Sequence, residues 1–282
     1  MRVIDSPEAM QVWADKTRHE GETIALVPTM GFFHAGHQAL IQKAKLLAGK
    51  TVVSLFVNPL QFGVGEDLER YPRNFTNDSR IATEQEVDVL FAPAPEQMYF
   101  PDSATRIHVS ALTEKFCGAS RPGHFDGVTT VVGKLFNLVL PHFAVFGEKD
   151  WQQLAVIRRM VRDLNWPVTI VSHPTVREKD GLAMSSRNSY LSEPQRKKAV
   201  YLYKALCLAR RKVKDGIRER QAIEQEVGAL LGSVEGAEVE YAAIVNGEDF
   251  TAPDRIDADS VLLLAVRFGA TRLIDNGRLL PS

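Results

Sequence analysis

The stretch LVPTMGFFHAGHQALIQKAK, residues 26–45, predicts a strand that passes through a short turn into a helix. Its first residues are apolar or β-branched, Gly31 gives the backbone freedom to turn, and apolar residues then recur at helical spacing. Two histidines, His34 and His37, fall at the junction. Ligands bind outside the carboxyl ends of the strands in an open parallel sheet, so we expect both histidines at a ligand-binding edge.

The same strand-to-helix pattern recurs through the first 176 residues. The β-rich runs lack strict alternation, as expected of strands that are covered on both faces. They are residues 23–29, 51–59, 87–93, 143–147 and 167–176. Segments that predict helices lie between or beside them, at residues 7–18, 37–48, 75–86, 125–139 and 150–164. This alternation predicts an α/β fold with a parallel sheet.

The pattern changes after residue 176. Residues 193–215 and 220–231 have a helical repeat, and two or three β-rich runs follow, including residues 239–246 and 261–268. We therefore predict a larger domain at residues 1–176 and a smaller α+β domain at residues 177–282.

Composition and charge narrow the class of protein. Of the 282 residues, 45% are hydrophobic and 24% are charged, which is typical of globular domains. The 34 basic and 35 acidic residues form no block of one sign, so neither a nucleic acid nor a membrane surface is expected as a partner. Small-molecule ligands are expected instead.

The cysteines and the N-terminal residues bear on the compartment. Cys117 and Cys207 lie far apart and outside a C-x-x-C spacing, so neither a disulfide framework nor a cysteine metal site is predicted. Residues 1–8 lack the apolar core of a signal peptide, and no apolar run approaches the length of a membrane span. We expect a soluble, cytoplasmic protein.

The histidine pair has three interpretations from the residues alone. A helix N-terminus favours phosphate, and Gly36 lets a ligand approach the backbone closely. The imidazoles of His34 and His37 would then donate hydrogen bonds to phosphate oxygens as charge builds up in phosphoryl transfer. Alternatively, they cap the helix and satisfy buried carbonyl groups. A zinc pair is the weaker interpretation because a third ligand is missing.

Several segments resemble known families. PTMGFFHAGH (28–37) resembles the H-x-G-H signature of the adenylyl-transferring superfamily that includes class I aminoacyl-tRNA synthetases, and AMSSRN (183–188) resembles its second signature. A more specific likeness, to the pantothenate synthetase (pantoate–β-alanine ligase) family, extends over nearly the whole chain. The segments that carry it are FVNPLQFG (56–63), RPGHFDGVTTVVGKLFNLVLP (121–141), FGEKDWQQLAVIRRMV (146–161), GLAMSSRNSYLS (181–192) and TRLIDN (271–276).

The resemblance implies a fold and a reaction. It implies a Rossmann-like domain at 1–176 that binds ATP and pantoate, and a C-terminal domain at 177–282 that closes over the active site. Pantoate carboxylate would attack the α-phosphorus of ATP, giving pantoyl adenylate and pyrophosphate, and the amine of β-alanine would then displace AMP. The family is usually a homodimer, and Mg²⁺ would accompany ATP by bridging its β and γ oxygens.

The resemblance also implies roles for single residues. His37 is the key catalytic imidazole, and His34, Lys149 and Arg187 are the other catalytic donors. Gln61 and Gln153 bind the acid substrate, because an amide both donates and accepts hydrogen bonds. The implied ATP-binding set is Met30, Gly31, His34, Gly36, His37, Gly147, Glu148, Lys149, Asp150, Val176, Met184, Ser185, Ser186 and Arg187.

Some positions have a plainer interpretation. Without the family, Lys149 is a solvated turn lysine and the segment around Ser185 is a surface turn. Asp150 is either an acceptor for ribose hydroxyls or the N-cap of the helix at 150–164. His124 has no chemical role that we can assign, and we expect a structural one. Metal ligands are not predicted, although the Asp78 region is a weak candidate for Mg²⁺.

Two alternative functions stay open. A nucleotidylyltransferase of the same superfamily would join AMP to a phosphorylated cofactor precursor and would release no AMP. A non-catalytic nucleotide-binding module would bind ATP without turnover. The presence of His34, His37, Lys149 and Arg187 argues against the module, and the pantoate-type segments argue against the nucleotidylyltransferase.

Overall fold

A computed structural model describes residues 1–280 of the chain, which divides into two compact units. Unit 1 comprises Met1–Gly147 and Gln152–His173. Unit 2 comprises Glu148–Trp151 and the chain from Pro174 onward. Each unit has its own sheet and is described by itself.

Unit 1 is built on a six-stranded sheet in which every pair of neighbouring strands is parallel. The strand order is β1-β4-β3-β2-β5-β6. The strands are β1 Arg2–Ile4, β2 Ile24–Thr29, β3 Lys50–Leu55, β4 Val89–Phe91, β5 Phe143–Gly147 and β6 Thr169–His173. Residues Ile24, Ala25, Leu26 and Val27 of β2 are fully buried, as expected of a central strand with helices on both faces.

The helices of unit 1 follow the strands in the chain. They are α1 Pro7–His19, α2 Ala35–Lys45, α3 Phe75–Glu84, α4 Pro95–Met98, α5 Cys117–Ser120, α6 His124–Val139 and α7 Trp151–Asp163, whose first residue groups with unit 2. Helix α1 begins where its sequence predicts, because Ser6 Oγ accepts from the Ala9 N–H at 3.2 Å and Pro7 occupies the first turn. Helix α6 is buried along most of its length.

Unit 2 has an antiparallel sheet of three strands in the order β7-β8-β9. These are β7 Ala237–Asn246, β8 Ser260–Phe268 and β9 Thr271–Arg278, and the helices are α8 Glu193–Ala199, α9 Tyr201–Lys214 and α10 Arg220–Gly232. Leu206 of α9, Val227 of α10 and Leu264 of β8 belong to one apolar core. The predicted fold class, a Rossmann-like parallel sheet with a smaller α+β part, is confirmed.

The structure differs from the predicted elements in several places, and the short helices α4 and α5 are among the elements that were not predicted. Strand β1 was not predicted, because its three residues are too few to form a pattern and the strand lies at the edge of the sheet. The single helical segment at 193–215 is two helices, which meet at Val200. In the part of the chain that the structure describes, no helix is long and apolar enough to cross a membrane.

Candidate active site

The two histidines lie at the carboxyl end of β2 and at the beginning of α2. His34 is the N-cap of the helix, and its Nδ1 accepts from the Gly36 N–H at 3.1 Å. Nδ1 of His37 accepts from the His34 N–H at 3.3 Å, and the two ring centroids are 4.1 Å apart. The capping part of that interpretation is therefore confirmed, although the partners of the two Nδ1 atoms are backbone N–H groups and not carbonyls. It also has a chemical consequence, since an Nδ1 that accepts a hydrogen bond leaves the proton of the neutral ring on Nε2.

The turn before the histidines is held by a carboxylate from another helix. Gly31 and Phe32 have left-handed backbone angles, with φ of +86° and +54°. Asp78 of α3, only 1% exposed, accepts from the Phe32 N–H at 2.8 Å and from the Phe33 N–H at 2.7 Å. The two carboxylate oxygens thus stabilise the backbone at Phe32, whose left-handed φ angle is unfavourable for a residue other than glycine. Asp78 is a positioning residue for the turn.

Gln61 is held at its side chain by neighbours in unit 1. It ends a short 3₁₀ turn, Pro59–Gln61, and is buried. Asn58 Nδ2 donates to Gln61 Oε1 at 3.1 Å, and Gln61 Nε2 donates to the sulfur of Met30 at 3.1 Å. Tyr99 in turn donates its hydroxyl to Asn58 Oδ1 at 2.8 Å, and burial raises the pKa of Tyr99, which keeps that donor protonated. The amide of Gln61 is thereby oriented toward Met30, a residue of the histidine turn.

The backbone carbonyl of Gln61 is bound by the segment RPGH. Arg121 Nη2 lies 3.1 Å and His124 Nδ1 lies 2.7 Å from that oxygen. Arg121 also forms a two-pronged ion pair with Glu66, with both N–O distances at 2.6 Å. Burial would raise the pKa of Glu66, but the hydrogen bonds and charge of Arg121 outweigh it and lower the pKa to about 2. His124, expected to be structural, therefore supports the backbone of a predicted substrate-binding residue.

Two adjacent glutamines of α7 have different environments. Gln152 is buried, and its amide donates to the carbonyls of Leu112 and Lys115, both at 2.8 Å. Gln153 is half-buried, and within residues 1–280 its amide forms no hydrogen bond. The amide of Gln152 thus holds the backbone of residues 112–115, whereas that of Gln153 contacts no hydrogen-bond partner among the described residues.

In unit 2, Lys149 lies in a 3₁₀ turn, Glu148–Asp150. Its side chain is only 20% exposed, and Nζ is 3.6 Å from Asp150 Oδ1. Asn276 of β9 donates its amide to the backbone carbonyl of Lys149 at 2.6 Å. This lysine is more enclosed than the solvated turn lysine that its local sequence indicates.

The second signature follows a tight hairpin in unit 2. Arg177 pairs with Ala183, and the Met184 N–H donates to the Val176 carbonyl at 3.0 Å. Gly181, with φ of +95°, forms the tip, where a Cβ would lie 1.9 Å from the ring of Tyr203. A larger residue at the tip would therefore displace the hairpin from α9.

The residues after the hairpin form a capped turn. Ser185 Oγ accepts from the Arg187 N–H at 3.3 Å and caps the 3₁₀ turn Ser186–Tyr190. Asn188 Nδ2 donates to Glu178 at 2.8 Å and to the Ala183 carbonyl at 3.1 Å, which ties the turn to the hairpin. Val176, Met184, Ser185, Ser186 and Arg187 thus belong to one local assembly.

The predicted site residues fall into two sets. The set in unit 1 is Met30, Gly31, His34, Gly36, His37, Gln61, Gly147 and Gln153. The set in unit 2 is Glu148, Lys149, Asp150, Val176, Met184, Ser185, Ser186 and Arg187. Among residues 1–280, no group of three or more His, Cys, Asp or Glu is arranged to hold a metal ion. The carboxylate of Asp78, the weak candidate for Mg²⁺, accepts two backbone N–H groups.

Sequence reasoning missed the residues that position these sets. Asn58, Arg121 and Asn276 lie inside the segments that carry the resemblance, so proximity to a signature was the available signal. Asp78 had no such signal, because its partners are 45 and 46 residues away.

Comparison with known proteins agrees with the segments described above. The sequence model of the family described as Pantoate-beta-alanine ligase matches residues 2–278. The pantothenate synthetase of Syntrophomonas wolfei subsp. wolfei is 49% identical over 277 residues, which is 98% of each chain. That of Desulfatibacillum aliphaticivorans is 48% identical over 281 residues, with 100% of each chain covered.

Solved structures show the same likeness in three dimensions. Pantothenate synthetase from Thermus thermophilus superimposes with a TM-score of 0.95 at 45% identity, covering 100% of each chain. Pantoate-beta-alanine ligase from Francisella tularensis, in complex with beta-gamma ATP and beta-alanine, has a TM-score of 0.82 at 30% identity. That alignment covers 100% of this chain and 99% of the other.

Proposed function

The chain belongs to the pantoate–β-alanine ligase family and uses ATP to join pantoate to β-alanine, and we propose that it does so through a pantoyl adenylate. In the first step, an oxygen of the pantoate carboxylate bonds to the α-phosphorus of ATP and pyrophosphate leaves. In the second step, the amine of β-alanine bonds to the acyl carbon and AMP leaves. The products are pantothenate, AMP and pyrophosphate.

The fixed tautomer of the two histidines is the observation that supports this mechanism best. Because both Nδ1 atoms accept backbone N–H groups, each neutral ring carries its proton on Nε2. His34 and His37 are therefore oriented donors at the N-terminus of α2, where the helix dipole also favours negative charge. Donors held in advance stabilise a phosphoryl-transfer transition state without reorganising. We assign them to phosphate oxygens, with His37 as the key catalytic residue.

The residues of unit 2 that are assigned to ATP carry charged and hydroxyl groups. Lys149 and Arg187 supply positive charge to phosphate oxygens, and the hydroxyls of Ser185 and Ser186 supply neutral donors. Asp150 is assigned to the ribose hydroxyls. We assign the remaining ATP-binding residues to contacts of their backbone or side chains with the nucleotide. They are Met30, Gly31, Gly36, Gly147, Glu148, Val176 and Met184.

Gln61 and Gln153 are assigned to pantoate. The amide of Gln61 is oriented by Asn58 and Met30, whereas that of Gln153 is not engaged by the described protein. A neutral amide can donate hydrogen bonds to, and accept them from, hydroxyl and carboxyl groups, and it carries no positive charge that would attract the phosphates. One oriented and one adaptable glutamine would suit a substrate that must enter and then hold its carboxylate in line with phosphorus.

Other features of the proposal come from the family. Mg²⁺ bound to ATP would neutralise phosphate charge. The described residues offer it no cluster of His, Cys, Asp or Glu ligands, and no step above relies on a protein-bound metal. We propose a homodimer that works in the cytoplasm. Sedimentation equilibrium of the purified chain tests the dimer.

Pantoate-dependent exchange of labelled pyrophosphate into ATP tests the proposal. We expect exchange with pantoate and MgATP in the absence of β-alanine, because activation of the carboxylate precedes the amine. The complete reaction should release AMP. Absence of exchange in an active enzyme would contradict an adenylate that forms before the amine reacts, and release of ADP would contradict adenylyl transfer. A nucleotidylyltransferase would release no AMP, and a binding module would turn over no ATP.

A further inference from the structure

Two consecutive residues near the end of β9, Asp275 and Asn276, are buried although both are polar. Asp275 is 2% exposed and Asn276 is 4% exposed. They pair with Leu264 and Leu263 of β8, so they lie within the sheet ladder. Successive side chains of a strand point to opposite faces of the sheet, so the two residues can reach different segments.

Asn276 reaches the turn that carries Lys149. Its Nδ2 donates to the backbone carbonyl of Lys149 at 2.6 Å, across 127 positions of sequence. A carbonyl can only accept, which identifies the facing atom of the amide as nitrogen. The hydrogen bond acts on the backbone of the lysine itself, and it therefore sets the origin of the side chain that ends in the ammonium group.

Asp275 reaches the hairpin that precedes the second signature. Its carboxylate binds the guanidinium of Arg177 through two contacts of 2.6 and 2.8 Å. Arg177 also donates to the carbonyl of Gly181 at the hairpin tip, at 3.0 Å. The same arginine pairs through its backbone with Ala183, the residue before Met184. The ion pair thus fixes the hairpin from which residues 184–187 emerge.

We propose that Asp275 and Asn276 are positioning residues that tie both cationic segments of unit 2 to one strand, so that Lys149 and Arg187 keep a fixed separation suited to a triphosphate. This inference rests on the phosphate-binding role of Lys149 and Arg187 given above. The strand is the shared reference, because its neighbours in the sheet and in sequence hold Asp275 and Asn276 at a fixed spacing. The Asn276 N–H also donates to Asp275 Oδ1 at 2.7 Å, which couples the two anchors directly.

Stability alone gives a poorer account of this arrangement. A buried ion pair often contributes no more to stability than apolar residues of the same volume would, since both charges must leave water. What such a pair does supply is a defined geometry, because two hydrogen bonds in a fork leave little freedom of orientation. At the other end of β9, Arg272 pairs with Glu240 of β7 at 2.8 Å and offers a control ion pair on the same strand.

The experiment compares variants of Asn276 with Glu240→Gln in pantoate-dependent pyrophosphate exchange. Asn276→Ala removes the amide, and Asn276→Leu keeps a similar volume without a donor. We expect both to weaken exchange by about tenfold through a higher half-saturating MgATP concentration or a lower rate, with pantoate saturation unchanged. Glu240→Gln should lower the melting temperature and leave the exchange kinetics unchanged.

A double variant distinguishes positioning of Lys149 from a general loss of stability. If Asn276 acts through Lys149, Asn276→Ala should add little to the loss already caused by Lys149→Ala. Full additivity, unchanged exchange in the Asn276 variants, or failure of both variants to fold would each overturn the proposal. Unchanged exchange in Lys149→Ala alone would instead refute the phosphate-binding role on which it rests, so the two failures can be told apart.

Discussion

The histidine turn of unit 1 and the cationic segments of unit 2 solve the same problem in different ways. In the histidine turn, the imidazoles of His34 and His37 are both the proposed phosphate donors and the caps of α2. In unit 2, Lys149 and Arg187 carry the proposed charge, while residues such as Asn276 hold the backbone. In the histidine turn, the same side chain holds the backbone and is the proposed phosphate donor. In unit 2, different side chains have these two roles.

The difference determines how substitutions should be interpreted. A change at His37 removes a cap and a donor together, so a loss of activity has two explanations. A change at Lys149 removes charge and leaves the hydrogen bond from Asn276 to the backbone in place. Conservative replacements are therefore needed at the two histidines, and truncations are informative at Lys149 and Arg187.

The largest effect is expected at His37, and the pair His37→Gln and His37→Ala separates its two roles. Glutamine at the third position of a helix can reach back to the N-cap N–H, as in a capping box, but it does not replace an imidazole donor in geometry. Exchange should fall by about a hundredfold or more in both variants. Only His37→Ala should lose the cap, about 1 kcal/mol of unfolding free energy. Near-normal exchange in His37→Gln would assign the histidine to capping alone.

Smaller losses of exchange activity are expected from substitutions of Lys149 and Arg187. Lys149→Ala and Arg187→Ala should each reduce exchange by about tenfold or more, because a charged donor is lost where water is partly excluded. The melting temperature should stay within a few degrees of the parent value. Lys149→Arg should restore activity only in part, since a guanidinium is planar and larger than an ammonium. Full exchange in both alanine variants would remove the proposed triphosphate contacts.

The glutamines extend the same comparison to the acid substrate. Gln61→Ala and Gln153→Ala should each raise the half-saturating concentration of pantoate in the exchange assay. The expected loss of apparent binding free energy is about 1–3 kcal/mol. The affinity for ATP, measured by calorimetry, should barely change. Because Gln61 is bonded to Asn58, its variant should also lose stability, whereas Gln153→Ala should not. Equal weakening of ATP and pantoate use would place these residues in the nucleotide site or in the scaffold.

The smallest effect concerns pH and the ion pair behind Gln61. The pKa of Glu66 is lowered from 4.5 to about 2 in the folded chain. A lowered pKa of an acid stabilises the fold above its unfolded value, and this contribution is lost as the pH falls from about 4.5 to about 2. The parent should therefore melt at a higher temperature than Glu66→Gln. This difference in melting temperature should be largest at pH 7 and should become smaller below pH ~4.5. A difference that does not depend on pH would contradict the ion pair.

The sequence predicts the histidine turn of unit 1 better than the cationic segments of unit 2. The strand, the turn at Gly31 and the capping histidines are neighbours in the chain, so periodicity and cap chemistry suffice to place them. The hydrogen bond between Asn276 and Lys149 spans 127 positions and depends on which strand ends beside which turn. Local patterns contain no such information. The resemblance identified the segment TRLIDN, and only the fold shows what its last two residues contact.

Asp78 illustrates the same limit inside unit 1. Its position in the first turn of α3 indicates an ordinary helix acid, because an acid there suits the helix dipole. The fold turns it toward Phe32 and Phe33, whose N–H groups it binds. A residue that stabilises a left-handed backbone angle elsewhere in the chain cannot be recognised from its own surroundings.

Isotope transfer from pantoate tests the central claim most directly. When pantoate carries ¹⁸O in both carboxylate oxygens, the adenylate mechanism bonds one of them to the α-phosphorus of ATP. Mass spectrometry should then find one ¹⁸O in each AMP released, and the other in the amide carbonyl of pantothenate. AMP without the label, or label in inorganic phosphate accompanied by ADP, would show that the carboxylate never bonds to the α-phosphorus and would contradict the mechanism.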